Sequence, residues 1–485
     1  MIVEVATIIA IQFGGMAAAL TMGNRQLRFV VPAGFIAGVC IYLTLAALQS
    51  IALLQTRAWL TMVLTMVLPV GWWFERRRRG TAQLPPVTGC VATLAAVGAA
   101  AATLHAAAII NFHVDSHEYL AIGSMLAGGT FDAGVSMFQI EKRMLAVPLM
   151  HASATEGGGY YLASITPMVG VATVLLLAWM IESAGKAVNL TPRMCTLLGV
   201  AAALFLLSFN RYVHNLFYIN GHLLFATLLL VLAGTSWVMA ISDHDKRPNL
   251  LLLQLLAIPV LVVTRPEAGL VAALAIAPAA LSAQRPVSHR MALVTTLGAS
   301  IAIWQLFLLR LFSERGSEVT TAMLGMLAFG AFLLACSPLL VWDTLSRHRM
   351  KLLSAVEILL WGTLAFEVTR NSEVMIESIR ATAINVLRGV GGWGMSLAFL
   401  AVVSAAALSV GHRSPDRVSL RYPLTAFVPL AWLLVYLSDG GYRVGAADSL
   451  NRMLIQLVPL AILFVAATAF SVRDRQSTVP SRGTP

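Results

Sequence analysis

Asp115, Glu118, Glu141, Lys142 and Arg143 lie within one segment, residues 111–151 (NFHVDSHEYLAIGSMLAGGTFDAGVSMFQIEKRMLAVPLMH), set between two long apolar runs. Ionisable groups beside hydrocarbon are costly to keep, so such a cluster at a span edge marks a functional site by default. Asp115 and Tyr119 are one helical turn apart, which lets both face a common cleft. Three further polar groups fall on the same side of alternating spans. Thr264-Arg265-Pro266-Glu267 is a tight turn in which Pro266 stops Arg265 from continuing a helix and exposes its guanidinium at the membrane surface. Residues 367–394 carry an apolar stripe (Met375, Ile379, Ala383, Val386, Val390) opposite Glu373, Glu377, Arg380 and Arg388, the pattern of a helix lying along the interface. Residues 438–452, SDGGYRVGAADSLNR, bring Tyr442, Arg443, Asp448 and Arg452 ahead of the last apolar run. An acid with converging arginines has a specific chemistry. The carboxylate can take a proton from a hydroxyl within hydrogen-bonding reach. Guanidinium groups grip phosphate oxygens and stabilise a departing phosphate.

The elements that must position these groups are membrane helices. The 485 residues are 58% hydrophobic and 11% charged, with a mean hydropathy of +0.81. Apolar runs recur at 2–21, 29–54, 58–74, 88–110, 160–182, 194–209, 222–241, 250–264, 268–283, 291–312, 322–342, 352–366, 395–410, 423–438 and 453–471. Each approaches the roughly 20 residues that a bilayer core requires. The expected fold is an all-α polytopic membrane protein of about 13–15 spans with short outer amphipathic helices. Residues 144–155 read as a short interfacial or re-entrant helix feeding the span that begins near Tyr160. The start, MIVEVATIIAIQF, lacks a basic n-region and cleavage site and reads as a first span.

Alternating the loops with Arg76–Arg79 inside places 21 of the 33 Lys and Arg on the cytoplasmic side, as the positive-inside rule requires. Asp115 then faces outward. The net charge of +11 is dispersed over loops and does not read as nucleic-acid binding. Cys40, Cys90, Cys195 and Cys336 lie in or beside apolar runs and read as packed thiols without a disulfide framework. Outside the cytoplasm no pool of nucleotide sugars exists, so a glycosyl donor there arrives attached to lipid.

Residues 111–151 resemble the first outer loop of GT-C superfamily glycosyltransferases, the group containing protein O-mannosyltransferases and lipid A aminoarabinose transferases. The matching pattern is an Asp after a span, a Tyr a few residues on, a glycine run, and then Arg and Pro opening the next span. Here these are Asp115, Tyr119, Gly128-Gly129, Phe131, Arg143 and Pro148. Arg265-Pro266-Glu267 is similar to a mid-chain turn of such enzymes, and Arg452 ahead of Pro459 matches in style. Three spans precede the Asp-bearing loop, where family members usually carry one, and no large soluble C-terminal domain follows. The resemblance implies a GT-C-like bundle, a polyprenyl-phosphate-sugar donor, a lipid, glycan or protein acceptor, and inversion by single displacement. It implies Asp115 as base, assisted by Glu118. Arg265, Arg443 and Arg452 would hold donor phosphate, with Lys142 and Arg143 secondary, and Tyr119, Glu267 and Tyr442 lining the site. No cofactor is read, although some family members use a divalent cation. The implied organisation is accessory helices at 1–87, a catalytic module at 88–312 with outer loop 111–143, and C-terminal helices at 313–485. The expected location is a bacterial inner membrane with the site facing the periplasm.

Each residue also has a structural reading: Asp115 as a helix N-cap, Arg265 as the turn partner of Glu267, and Arg443 and Arg452 as headgroup anchors. A secondary transporter and an outer-leaflet polysaccharide polymerase or ligase are the competing functions. A transporter places ionisable groups at mid-span, where this chain has few, Glu357 being the clearest. Asp243-His244-Asp245 mimics a nucleotide-sugar motif but sits in a small inner loop, and His117-Glu118 does not continue into a zinc-binding HExxH helix.

Overall fold

The computed structural model describes residues 1–80, 82, 86–130, 137–242, 249–389, 391–411, 417–437 and 449–477. Phe131, the Asp243-His244-Asp245 pattern, Tyr442, Arg443 and Asp448 lie outside them. The described chain is helical with no β-strand, and the protein is an integral membrane protein by its spans. Among the described residues nine helices are long and apolar enough to cross a membrane, or up to eleven if each of two bent pairs is one span. Four more apolar runs form shorter helices: Leu251–Val262, Ala268–Ala280, Ser396–Val410 and Val418–Leu434. These account for the higher span count expected from hydropathy. At 12 residues, the Leu251–Val262 helix rises only about 18 Å, short of the bilayer core.

The His222–Ile241 helix is buried along nearly its whole length, with Ile165–Ala187, Leu251–Val262, Ala268–Ala280 and Val458–Ser477 packed against it. Helices Val87–Ala107, Thr321–Cys336 and Arg349–Arg370 stand at the periphery and turn apolar side chains outward, as Phe332 (60% exposed) and Ile358 (72%) illustrate. Such surfaces suit lipid, which is as apolar as the side chains that meet it.

Small residues set the closest helix crossings. Gly34 and Gly38, four apart, meet Gly15 and Ile11 of the first helix so closely that a Cβ on Gly38 would stand 1.9 Å from the Ile11 carbonyl oxygen. This is the small-residue packing that holds helices together in lipid. Gly38→Val is expected to force the pair apart and cost about 1–3 kcal/mol, read as a lower thermal midpoint in detergent. The first helix is also tied by Glu4, whose carboxylate accepts from Ser164 N (2.7 Å) and Oγ (2.5 Å) and lies 2.6 Å from His105 Nδ1.

The 144–155 segment is a helix, Ala146–Glu156, almost wholly buried. The 367–394 segment contains a helix, Ser372–Leu387, and Val390 at the end of its apolar stripe lies outside the described residues. Met375 is buried, whereas Ile379 and Ala383 are exposed and Ser378 and Asn385 are buried instead. Trp432 Nε1 donates to Thr382 Oγ1 (3.3 Å) and Gly391 N to the Asn385 backbone carbonyl (3.3 Å), tying this helix to its neighbours.

Candidate functional site

The segment expected as an outer loop is two helices, Val114–Gly128 and Met137–Arg143. His113 caps the first: its ring accepts from Asp115 N (3.4 Å), while Ser116 Oγ accepts from His113 N (3.4 Å). Asp115 is therefore not the cap, and its carboxylate is released for other contacts. The helix lies hard against Ala146–Glu156, since a Cβ on Gly123 would stand 2.4 Å from the Pro148 carbonyl oxygen. Its start is held by the 217–221 stretch, where Asn111 N donates to the Phe217 carbonyl (2.6 Å) and Ser116 Oγ to that of Ile219 (3.3 Å).

Asp115 is bound on both oxygens. Arg143 Nη2 donates to Oδ1 (2.6 Å), Arg452 Nη1 to Oδ2 (3.0 Å), and Tyr218 OH reaches Oδ2 at 3.4 Å. Burial pushes the Asp115 carboxyl up, but Arg143 and Arg452 outweigh it and hold the group below its ordinary value. Arg143 also donates through Nε to Glu118 (2.5 Å) and lies 5.2 Å from the Tyr119 ring centroid. Glu118 is thus a partner of Arg143 and does not line the cavity described next.

Asp115, Tyr119, Lys142, Arg143, Arg265, Glu267 and Arg452 line one cavity of about 640 Å³. Residues more than 330 positions apart in sequence therefore share one wall. Each is delivered by a distinct anchor. Leu145 N and Ala146 N both donate to the Val263 carbonyl (3.1 and 2.9 Å), which sets the Arg143 and Arg265 segments side by side. Arg452 follows Asn451, whose side chain accepts from Trp393 Nε1 (2.6 Å) and donates to the Gly391 carbonyl (3.1 Å). Arg265 was expected at the membrane surface. Its side chain is instead only 19% exposed, with Nε donating to Glu267 (2.5 Å). Pro266 does break the helix there, but the break points the guanidinium inward because Glu267, 8% exposed, offers a carboxylate.

Much of the rest of the cavity is apolar, with Asn220, His222 and Gln305 as polar exceptions. Ile301, Trp304, Gln305 and Leu308 form one stripe of the Val287–Glu314 helix, facing Ala322, Met323, Gly325 and Met326 of the next, as helical periodicity dictates. Gly298 and Gly330 bring these two helices together. Ala322 and Gly325 belong both to the lining and to the exposed face of that peripheral helix. A Cβ on Gly325 would meet open space, so this wall borders the lipid-facing surface.

Sequence reasoning passes over Tyr218, Asn220, His222, Trp304 and Gln305, and assigns Glu141 no role. The polar stretch Tyr218-Ile219-Asn220-Gly221-His222 opens a span on the same side as Asp115, a signal that was legible. Trp304 and Gln305 of the Val287–Glu314 helix carry no such signal. Among the described residues no group of three or more His, Cys, Asp and Glu side chains could hold a metal ion.

Fold and cavity together define a polytopic α-helical membrane protein with an amphipathic cavity, charged on one wall and largely apolar on the other. Comparison of the chain with protein-family models, curated proteins and solved structures returns no match.

Proposed function

We propose that this protein is an integral-membrane glycosyltransferase of GT-C type. It moves a sugar from a polyprenyl-phosphate carrier to an acceptor hydroxyl on the extracytoplasmic face, with inversion, in a bacterial inner membrane. One observation carries the reading: carboxylates and guanidiniums meet at a cavity whose other wall is apolar and borders lipid. That pairing suits a substrate with a charged phosphate head and a hydrocarbon tail. Among the described residues, four cationic side chains (Lys142, Arg143, Arg265, Arg452) and three acidic ones (Asp115, Glu141, Glu267) line it, a set that suits an anionic head. Arg265 is the leading phosphate ligand. Glu267 holds only its Nε, and its two terminal amino groups make no hydrogen bond within the described residues. As the sugar–phosphate bond breaks, charge grows on the leaving oxygen, where preorganised donors act most strongly. The carrier tail would run along the stripe from Leu308 to Ile301 and leave past Gly325.

The test supplies purified protein with radiolabelled polyprenyl-phosphate sugars and a membrane extract. Label should move from carrier to acceptor. Solute uptake into vesicles without any transfer would replace this reading with a transporter. Gly325→Trp is expected to raise the KM for a long-chain donor about tenfold while leaving a short-chain water-soluble donor unaffected, because the indole blocks only the tail exit. Equal effects on both donors would count against lateral entry.

A further inference from the structure

Among the described residues three carboxylates line the cavity: Asp115, Glu141 and Glu267. Two are already committed. Asp115 accepts from Arg143, Arg452 and Tyr218, and Glu267 accepts from Arg265. Glu141 makes no hydrogen bond or ion pair within the described residues. Yet it lies on the cavity wall in a run of four consecutive lining residues, Glu141 to Met144. Arg143 fixes that run. Its bonds to Glu118 and Asp115 pin the end of the Met137–Arg143 helix to the Val114–Gly128 helix, so Glu141 is presented to the cavity without being consumed by the clamp.

A base must have a lone pair to receive the proton and must gain from receiving it. Asp115 already accepts three bonds on its two oxygens, and its two arginines hold its carboxyl below the ordinary carboxylate value. Burial pushes the Glu141 carboxyl the other way, up from its ordinary value, towards the range in which a carboxylate is an effective base.

Resting on the glycosyl-transfer reading above, we infer that Glu141 is the general base for the acceptor and Asp115 a positioning residue for Arg143 and Arg452. In the step, the acceptor hydroxyl gives its proton to the free Glu141 oxygen as its own oxygen bonds to the anomeric carbon. The bond from that carbon to the phosphate oxygen breaks on the opposite side, and its electron pair stays on the phosphate beside Arg265. The proton later leaves Glu141 for water, so no co-reactant is required.

The experiment compares full-length wild type, Glu141→Gln, Glu141→Ala and Asp115→Asn in detergent, using radiolabelled polyprenyl-phosphate hexoses with a membrane extract as acceptor. Glu141→Gln should lower kcat about 10²–10⁴-fold, the usual worth of a general base, with donor KM within a factor of two of wild type. Sodium formate should partly restore Glu141→Ala, by supplying a small carboxylate to the vacated space, and should not restore Asp115→Asn. Glu141→Gln retaining wild-type kcat would overturn the assignment while the transfer reading stands. So would a loss in donor KM with kcat unchanged, or formate rescue of Asp115→Asn alone. Wild type that releases sugar from none of the donors would instead sink the transfer reading, and this assignment with it. A thermal midpoint for each variant separates misfolding from lost chemistry, and formate rescue of Glu141→Ala reports only on folded protein.

Discussion

Asp115→Asn should be both less stable and poorly active, because the buried Arg143 keeps only Glu118 as a charged partner and the half-buried Arg452 loses its bond to Asp115. Arg143 is only 7% exposed at its side chain and Arg452 25%, while Asp115 is 22%. Removing one partner of a buried ion pair costs about 3–5 kcal/mol, and the residual carbonyl of Asn, which still accepts one bond, keeps the loss near the lower figure. The stability loss is read as a lowered midpoint in detergent. Transfer should fall on the order of 10²-fold, the cost of a catalytic group displaced by about 1 Å, with donor KM rising as Arg452 and Arg143 drift. A loss confined to kcat, with donor KM and midpoint untouched, would mean instead that Asp115 acts directly on the acceptor.

The same pair predicts a pH dependence with a definite sign. The folded Asp115 carboxyl lies below its ordinary value, so the folded state prefers the ionised form more than the unfolded chain does. Its stabilisation is therefore fully present above the ordinary carboxylate range and is lost as pH falls through the depressed folded value. Wild type should become easier to unfold as pH drops below about 4, and Asp115→Asn should flatten that part of the profile. Identical acid limbs in the two proteins would remove Asp115 as a source of the slope.

Arg265→Ala should lower kcat/KM for transfer by about 10²–10³-fold, the loss typical when one preorganised donor to developing charge is removed. The argument is geometric: Glu267 orients Nε from one side, leaving the planar fork aimed into the cavity. Arg265→Lys should recover only part of the loss, because a lysine offers a point charge where a phosphate takes two parallel bonds. Donor KM and kcat are measured separately with the labelled carrier sugars. Full activity in Arg265→Lys would show that charge alone suffices. Full activity in Arg265→Ala would remove Arg265 from donor binding.

Much of this molecule can be read before it folds. A 20-residue apolar run has one outcome in lipid, since every backbone amide must be satisfied within its own helix, and the side of each short loop follows from where Lys and Arg accumulate. That local logic suffices to nominate Asp115, Tyr119, Lys142, Arg143, Arg265, Glu267 and Arg452, which the fold then gathers round one cavity. It reaches its limit where several equally apolar faces compete for the same neighbour. Hydropathy cannot tell that Ser378 and Asn385 turn inward while Ile379 turns out, that Gly38 sits against Ile11, or that the stripe at Ile301, Trp304 and Leu308 faces Met323. Nor can it say which acid a given arginine takes as partner. Asp115 and Glu267 are engaged and Glu141 is not, and that distinction depends on distances of a few ångströms between segments far apart in the chain. Charge and apolar period act within a segment, so sequence alone determined the spans and the candidates. Pairing acts between segments, so only the tertiary structure decided which carboxylates take an arginine as partner.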